Sequence, residues 1–390
     1  MKLKQEPGDF RVEERSSVAV GSVGEFALYR LDKSGWTTPD AVGEIGRRWK
    51  LDRRDVSHGG LKDRHAVTSQ HLTIRRGPPR NLNLDRITLT YLGRTAAAFT
   101  SADIAANAFA VTLRGLSDNA LSLATGALAE VGRVGVPNYF DDQRFGSVGG
   151  EGEFIGKEMV FGRFERALWL ALAAPYEFDR ADAKREKEVL RENWGKWAEC
   201  ARNLGRGEVR RTVDYLAARP TDFRGAIARL RPELQGLYLA AYQSFVWNKM
   251  LAAWLTKHFA PTELGRVELK LGGVPVPLRV DQVMQSSWES LTLPLPSARV
   301  KSDPAAEWSA IADEVLRAEG LTLREMQVKG MHKPFFSKGE RAGCVRPAGL
   351  SHEAAADELN AGAKKLVLRF ELPRGSYATM VVKRITSPAP

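Results

Sequence analysis

In GGLKDRHAVTSQ, residues 59–70, one carboxylate, Asp63, stands between Lys62 and Arg64 behind two glycines. A carboxylate works as a nucleophile only while it is ionised, and a neighbouring cation keeps it so once it is partly buried. An isolated Lys-Asp-Arg triplet is most often a solvated loop without chemistry. This one lies between two strand-like runs, so Asp63 is offered at the mouth of a sheet, a position that suits a catalytic group. A second stretch, PNYFDDQRFG at residues 137–146, gathers Asn138, Tyr139, Phe140, Asp141, Asp142, Gln143, Arg144 and Phe145 behind a proline. Rings that stack on a base and amides that read its edge are what a pocket for a flipped nucleotide needs. A structural turn with two buried aromatics is the plainer reading of the same pattern. The third unusual stretch is LPRGSYATMVV, residues 372–382.

Other chemistries find little support. Adjacent carboxylates such as Asp141 and Asp142 face opposite ways in an extended chain, and no nearby histidine completes a coordination set, so no metal is expected. His58, His65 and His71 fit neither HxH nor HExxH and read as loop or sheet polar residues. No GxSxG elbow, P-loop or GxGxxG motif accompanies them, and VGGEG at residues 148–152 is a weak glycine run. Cys200 and Cys344 lie far apart without zinc or disulfide spacing, which fits a reducing compartment.

The elements that must position these residues are read from periodicity. FALYRL (26–31) is a strand. TTPDAVGEIGRRWK (37–50) is a helix with Thr38 as its cap and Pro39 in the first turn, its Ala41, Val42, Ile45 and Trp49 on one core-facing side. Strands follow in SQHLTI, ITLTYL and FAVTLRG, with the loop RRGPPRNLN between the first two, and SDNALSLATGALAEVG is a capped helix. Strands and helices are mixed without regular alternation, an α+β pattern. From about residue 164 the segments are long and helical: RFERALWLALAAP, DRADAKREKEVLRENWGKWAECARNL and PELQGLYLAAYQSFVWNKMLAAWL. In the last, Leu237, Ala241, Phe245 and Trp247 fall near helical spacing, so its aromatics read as packing residues. Strands return in RVELKLGGVPVPLRV, a helix in PAAEWSAIADEVLRAEG, and KKLVLRFELPRGSYATMVVKRI reads as a strand, a turn and a second strand. TSPAP at the end is expected to fray.

The 390 residues suffice for two domains. With 58 Lys and Arg against 47 Asp and Glu, the formal charge is +11, which favours a polyanionic partner and nucleic acid first. No run reaches the length of a membrane span, and MKLKQEPGDFRVEE lacks the apolar core of a signal peptide, so a cytoplasmic protein is expected.

GGLKDRHAVTSQ, NYFDDQRFG and LPRGSYATMVV, in this order, together resemble the signature segments of the TruD family of RNA pseudouridine synthases. The opening KQEPGDFRVEE is similar to that family's N-terminal segment. Four segments spread over almost the whole chain are far more specific than any one of them. The resemblance implies an α+β catalytic domain of the pseudouridine synthase fold, a mixed, mainly antiparallel sheet with helices. It is expected over residues 1–163 and 349–390, interrupted by a largely helical TRUD insertion domain at 164–348. The implied reaction is isomerisation of uridine to pseudouridine in tRNA, usually at position 13 in bacteria, without a cofactor. tRNA is the expected partner, other RNAs stay open, no membrane is involved, and a monomer is the favoured state.

By motif position the resemblance makes Asp63 the nucleophile. Lys4, in KQEPGDF, is the candidate for the cation that holds its pKa down, while Lys62 is expected to point away. Phe10, Asn138 and Tyr377 match positions that contact the target nucleotide, and Phe140 falls where an aromatic is expected near the nucleophile. Tyr377 stands where other members carry Phe in a GSF segment. Attack at C6, attack at C1′ and a route through a glycal remain open. The alternatives are an RNA-binding protein that keeps the fold without the chemistry and a metal-dependent nuclease, the latter disfavoured by the missing ligand set.

Overall fold

The computed structural model describes residues 1–149, 152–176, 179–331 and 333–387, so the last three residues of TSPAP lie outside it. The chain forms two compact units, Met1–Val136 with Val345–Ser387, and Pro137–Cys344. Among the described residues no helix is long and apolar enough to cross a membrane.

The first unit contains β1 (Lys2–Leu3), β2 (Phe10–Ser16), β3 (Phe26–Ser34), α1 (Thr38–Trp49), β4 (Val56–His58), β5 (Val67–Arg75), β6 (Leu82–Leu84), β7 (Ile87–Thr95), β8 (Ile104–Leu116) and α2 (Asp118–Val134), then β9 (Ala348–Ala356), β10 (Lys364–Pro373) and α3 (Ala378–Thr386). One ten-stranded sheet runs β9-β10-β8-β2-β5-β3-β7-β6, with β1 added to β8 and β4 to β5. Strands β2 and β5 are parallel and the other ladders antiparallel, which makes the fold α+β, as expected.

Alternation decides which face is covered. In FRVEERS, Phe10 and Val12 are buried while Arg11, Glu13 and Arg15 are exposed. Register carries this across the sheet: Phe10 opposes Val111 and Val111 opposes Leu368. These residues pack with Leu128 and Val131 of α2 and Val381, Val382 and Ile385 of α3. On the other half, Tyr29, Leu31, Leu72, Ile74 and Leu89 pack against Ala41, Val42 and Ile45 of α1. Each valine, leucine, isoleucine or phenylalanine among them contributes about 1.5–3 kcal/mol on burial.

Two sequence expectations are corrected. The cap of α1 is Thr37, whose side chain accepts the Asp40 amide (3.2 Å), and Thr38 is already helical with its hydroxyl turned inward. The segment after the LPRG turn is the helix α3, not a strand. Its valines favour a strand by composition, but Ala378, Val381, Val382 and Ile385 recur at helical spacing, and their burial against the sheet and α2 outweighs local propensity.

The second unit is built around the 27-residue helix Pro232–His258, which buries Tyr238, Tyr242, Trp247, Leu251 and Trp254. Its buried residues lie on every side, the pattern of a core helix. Trp247 packs as expected, and Leu237 is exposed. Leu264–Leu269 and Gly272–Pro277 form an antiparallel hairpin. The units divide at 136/137 and 344/345, where the family resemblance led to an expectation of 163/164 and 348/349. Residues 137–163 fall in the second unit because their rings join its core: Phe140 meets Trp247 at 5.5 Å and Phe154 meets Phe245 at 4.7 Å.

Within the first unit the early and late segments are tied by Arg114 of β8. This buried guanidinium donates to Asp9 (2.8 Å) and Asp357 (3.0 Å), and Asp357 also accepts the Gly115 amide (2.8 Å). Removing one member of a buried ionic cluster leaves charges without compensation. Arg114→Met should therefore destabilise the protein by about 3–5 kcal/mol in urea unfolding, whereas Arg15→Met, on the exposed face, should change stability by less than about 1 kcal/mol.

Candidate active site

Asp63 lies in the loop between β4 and β5, and the loop backbone is held from several elements. The Lys62 amide donates to the Thr38 hydroxyl (3.0 Å), which donates in turn to Gln70 (2.8 Å). Gln70 also donates to the Gly60 carbonyl (3.1 Å), and the Gly35 amide donates to the Arg64 carbonyl (3.1 Å). From beneath, the Lys33 ammonium donates to the carbonyls of Lys62 and Asp63. A loop pinned in this way presents its side chain in one direction, which is how a nucleophile is preorganised.

Lys4 Nζ donates to Asp63 Oδ2, and the two side chains are each 26% exposed. The His65 amide donates to Asp63 Oδ1 (2.9 Å). Burial is the largest influence on the Asp63 carboxyl and pushes its pKa up. The Lys4 hydrogen bond, the His65 amide and the positive charge of Lys4 together outweigh it, so Asp63 is held below the ordinary aspartate range. Lys4 has a left-handed backbone (φ 56°), which costs a non-glycine residue roughly 1–2 kcal/mol. That conformation lies between the anchor of β1 on β8 and the turn at Pro7–Asp9. The ammonium also sits 4.3 Å from the centre of the Phe10 ring. Lys4, Phe10 and Asp63 therefore form one cluster.

Lys62 turns away from Asp63, as expected. Its Nζ donates to Asn107 (2.6 Å) and pairs with Glu14 (3.0 Å), a carboxylate 2% exposed on the covered face of β2. Burial pushes the Glu14 carboxyl up, but hydrogen bonds from His71 and the charge of Lys62 leave it below its ordinary value. Sequence reading gave no part in the site to Glu14, Lys33, Thr38 or Gln70. The signal was present as polar residues at inward positions of otherwise apolar strands and at the inner face of a helix start.

The other expected residues are more dispersed. Tyr377, half-buried, precedes the first turn of α3 in the first unit. Asn138 and Phe140 belong to the second unit. The Asn138 amide donates to the Ala342 carbonyl (3.1 Å), and its oxygen accepts from Arg341 (2.8 Å). The Phe140 backbone exchanges hydrogen bonds with the Asn248 side chain (2.9 and 2.8 Å), and the Arg341 guanidinium lies 4.0 Å from its ring centre. Asp142 accepts the Lys270 amide (2.6 Å).

The mixed sheet thus presents Asp63 from a pinned loop, with Lys4 and the Phe10 ring beside it, which is consistent with the class that comparison with known proteins defines, the pseudouridine synthases. The chain belongs to the family described as tRNA pseudouridine synthase D (TruD), whose model it matches over residues 1–385. It is 31% identical to the tRNA pseudouridine synthase D of Geobacter metallireducens, over 98% of this chain and 94% of that protein. It is 26% identical to that of Aquifex aeolicus, over 99% and 98%. The crystal structure of a chain assigned as tRNA pseudouridine synthase D from Methanosarcina mazei superposes with a TM-score of 0.71 at 25% identity, covering 98% of this chain and 93% of that one.

The ion pair makes a titration testable without substrate. In carbon-detected NMR, the Asp63 carboxyl should titrate below 3.8, its ordinary value. In Lys4→Met, burial acts without its main opponent, and the transition should move upward. An unshifted Asp63 transition in a folded Lys4→Met protein would show that Lys4 does not control the charge.

Proposed function

We propose that this TruD family member converts uridine to pseudouridine at position 13 of tRNA, with Asp63 as the nucleophile. The observation that carries this reading is the Asp63 carboxylate itself, kept ionised by Lys4 on a loop whose backbone is hydrogen-bonded from β3, α1 and β5. The reaction breaks the N1–C1′ bond and forms C5–C1′, with loss of the C5 proton and gain of one at N1. Oxidation states balance, so no redox partner is needed. Asp63 supplies the charge or the bond that holds one fragment while the detached base turns. Phe10 and Tyr377, both of the first unit, contact the target nucleotide with their rings.

The unit Met1–Val136 with Val345–Ser387 acts as the catalytic domain, and Pro137–Cys344 is the TRUD insertion. The net charge of +11 suits a substrate that presents phosphates, and the enzyme works as a cytoplasmic monomer.

Asp63→Asn keeps the shape but removes the charge. Tritium release from tRNA labelled at uridine C5 should fall below detection while tRNA binding persists, since affinity resides mainly in phosphate contacts. Turnover by a folded Asp63→Asn protein would overturn the assignment. Stacking on an aromatic is worth about 1–3 kcal/mol per base, so Tyr377→Ala should slow turnover roughly five- to a hundredfold, and Tyr377→Phe should be nearly silent. A large loss in the Phe variant would assign work to the hydroxyl.

A further inference from the structure

One buried cation has no part in the chemistry above. Lys33 occupies the last inward position of β3, on the face of Tyr29 and Leu31, and is 2% exposed. Its Nζ donates to the carbonyls of Trp36 (2.8 Å), Asp63 (3.0 Å) and Lys62 (3.3 Å). An ammonium has three donors, and all three are used on backbone. Burying an ammonium without a carboxylate partner is expensive, and an apolar residue would serve the sheet at lower cost.

The choice of acceptors gives the reason. The carbonyls of Lys62 and Asp63 belong to the two peptide planes on either side of the Asp63 α-carbon. Fixing both planes fixes φ and ψ at Asp63, and with them the direction of its Cα–Cβ bond. Thr38 restrains the plane before these two, and Gly35 the one after. Among the described residues, Lys33 is the side chain that holds both planes adjoining the nucleophile.

We propose that Lys33 is the positioning residue of the nucleophile, aiming the Asp63 carboxylate through the carbonyls of residues 62 and 63 without touching substrate. This rests on the reading of Asp63 as the nucleophile. The charged groups facing Lys33 are Asp63, which favours the ammonium, and Lys62, which opposes it; its neighbours in register, Thr68 of β5 and Ile87 of β7, are uncharged. Burial outweighs Asp63 and draws the Lys33 pKa down to about 8. Above that pH a neutral amine has two donors for three carbonyls, and the aim of Asp63 loosens. The unfolded chain keeps its proton up to 10.5, so the unfolded state binds more protons between these values, and this group's contribution to stability rises with pH. An alkaline fall in kcat with an intact fold is thus the signature of positioning, since unfolding through this group would follow the opposite trend.

The test measures kcat, KM and tRNA affinity for the full chain, for Lys33→Met and Lys33→Gln, and for Asp63→Asn in parallel, with thermal melts of each. Misaiming a reacting group by about 1 Å can cost on the order of a hundredfold. Lys33→Met should therefore lose on the order of a hundredfold in kcat, with KM and affinity almost unchanged, and Lys33→Gln should recover part of it. Wild-type kcat should decline above about pH 8, and this limb should be missing from Lys33→Met. A Lys33→Met enzyme with wild-type kcat, or one that keeps the same alkaline limb, overturns the proposal, as does a loss shared equally by kcat and binding. If Lys33→Met does not melt cooperatively, Lys33→Gln and the wild-type limb decide. An active Asp63→Asn would instead defeat the reading of the nucleophile, whereas an inactive Asp63→Asn beside a fully active Lys33→Met defeats this inference alone.

Discussion

A carboxylate withdrawn from water and required to stay charged constrains the structure around it. Burial pushes Asp63 toward its neutral form, and the opposing charge comes from Lys4, fifty-nine positions away in sequence. The N-terminal segment must therefore be fastened near the loop between β4 and β5. Strand β1 is paired to β8, Asp9 is bound to buried Arg114, and the chain between them accepts a left-handed residue at Lys4. Each restraint is inexpensive beside an unpaired buried charge.

The parallel pairing of β2 with β5 extends this logic into the sheet. Arg11 opposes Val67 and Glu13 opposes Ser69, so the strand after the Lys4 turn and the strand after the Asp63 loop start side by side. Glu14, one residue along β2, then meets Lys62 from the loop and removes its charge from competition. Lys62 would otherwise be a second, mobile cation next to Asp63. Its pairing with Glu14 turns an adjacent charge into an anchor for the loop, leaving Lys4 to set the state of Asp63.

Elements with a clean period were legible in the sequence, and elements fixed by tertiary contacts were not. The strands β3, β5, β7 and β8 were read as strands, and α1 and α2 as helices, with the cap of α1 displaced by one residue. The helix α3 was misread because its valines and isoleucine favour strands, and only the covered face of the sheet shows why they coil. The boundary expected near residue 163 lay at a change of composition, whereas the compact unit starts at Pro137 because Phe140 and Phe154 are core residues there. In the site, Asp63 and Lys4 came from motif position. Lys33 did not, because a lysine in a strand of mixed polarity looks like a solvated residue until its face is known.

Two lysines thus meet Asp63 in different ways, and the tasks cannot be exchanged. Lys4 is partly exposed and acts on the carboxylate, where its charge is needed; Lys33 is buried and acts on the backbone, where its three directed donors are needed. A carboxylate offers about four lone-pair sites. Lys4 occupies one on Oδ2, and the His65 amide occupies one on Oδ1. If Lys33 also bound the carboxylate, the charge would be firmer but a further lone pair would be lost to substrate. Placing the second cation on the carbonyls behind the α-carbon instead leaves on each oxygen of Asp63 a lone pair that neither Lys4 nor the His65 amide engages, as the proposed attack on the ring or sugar requires.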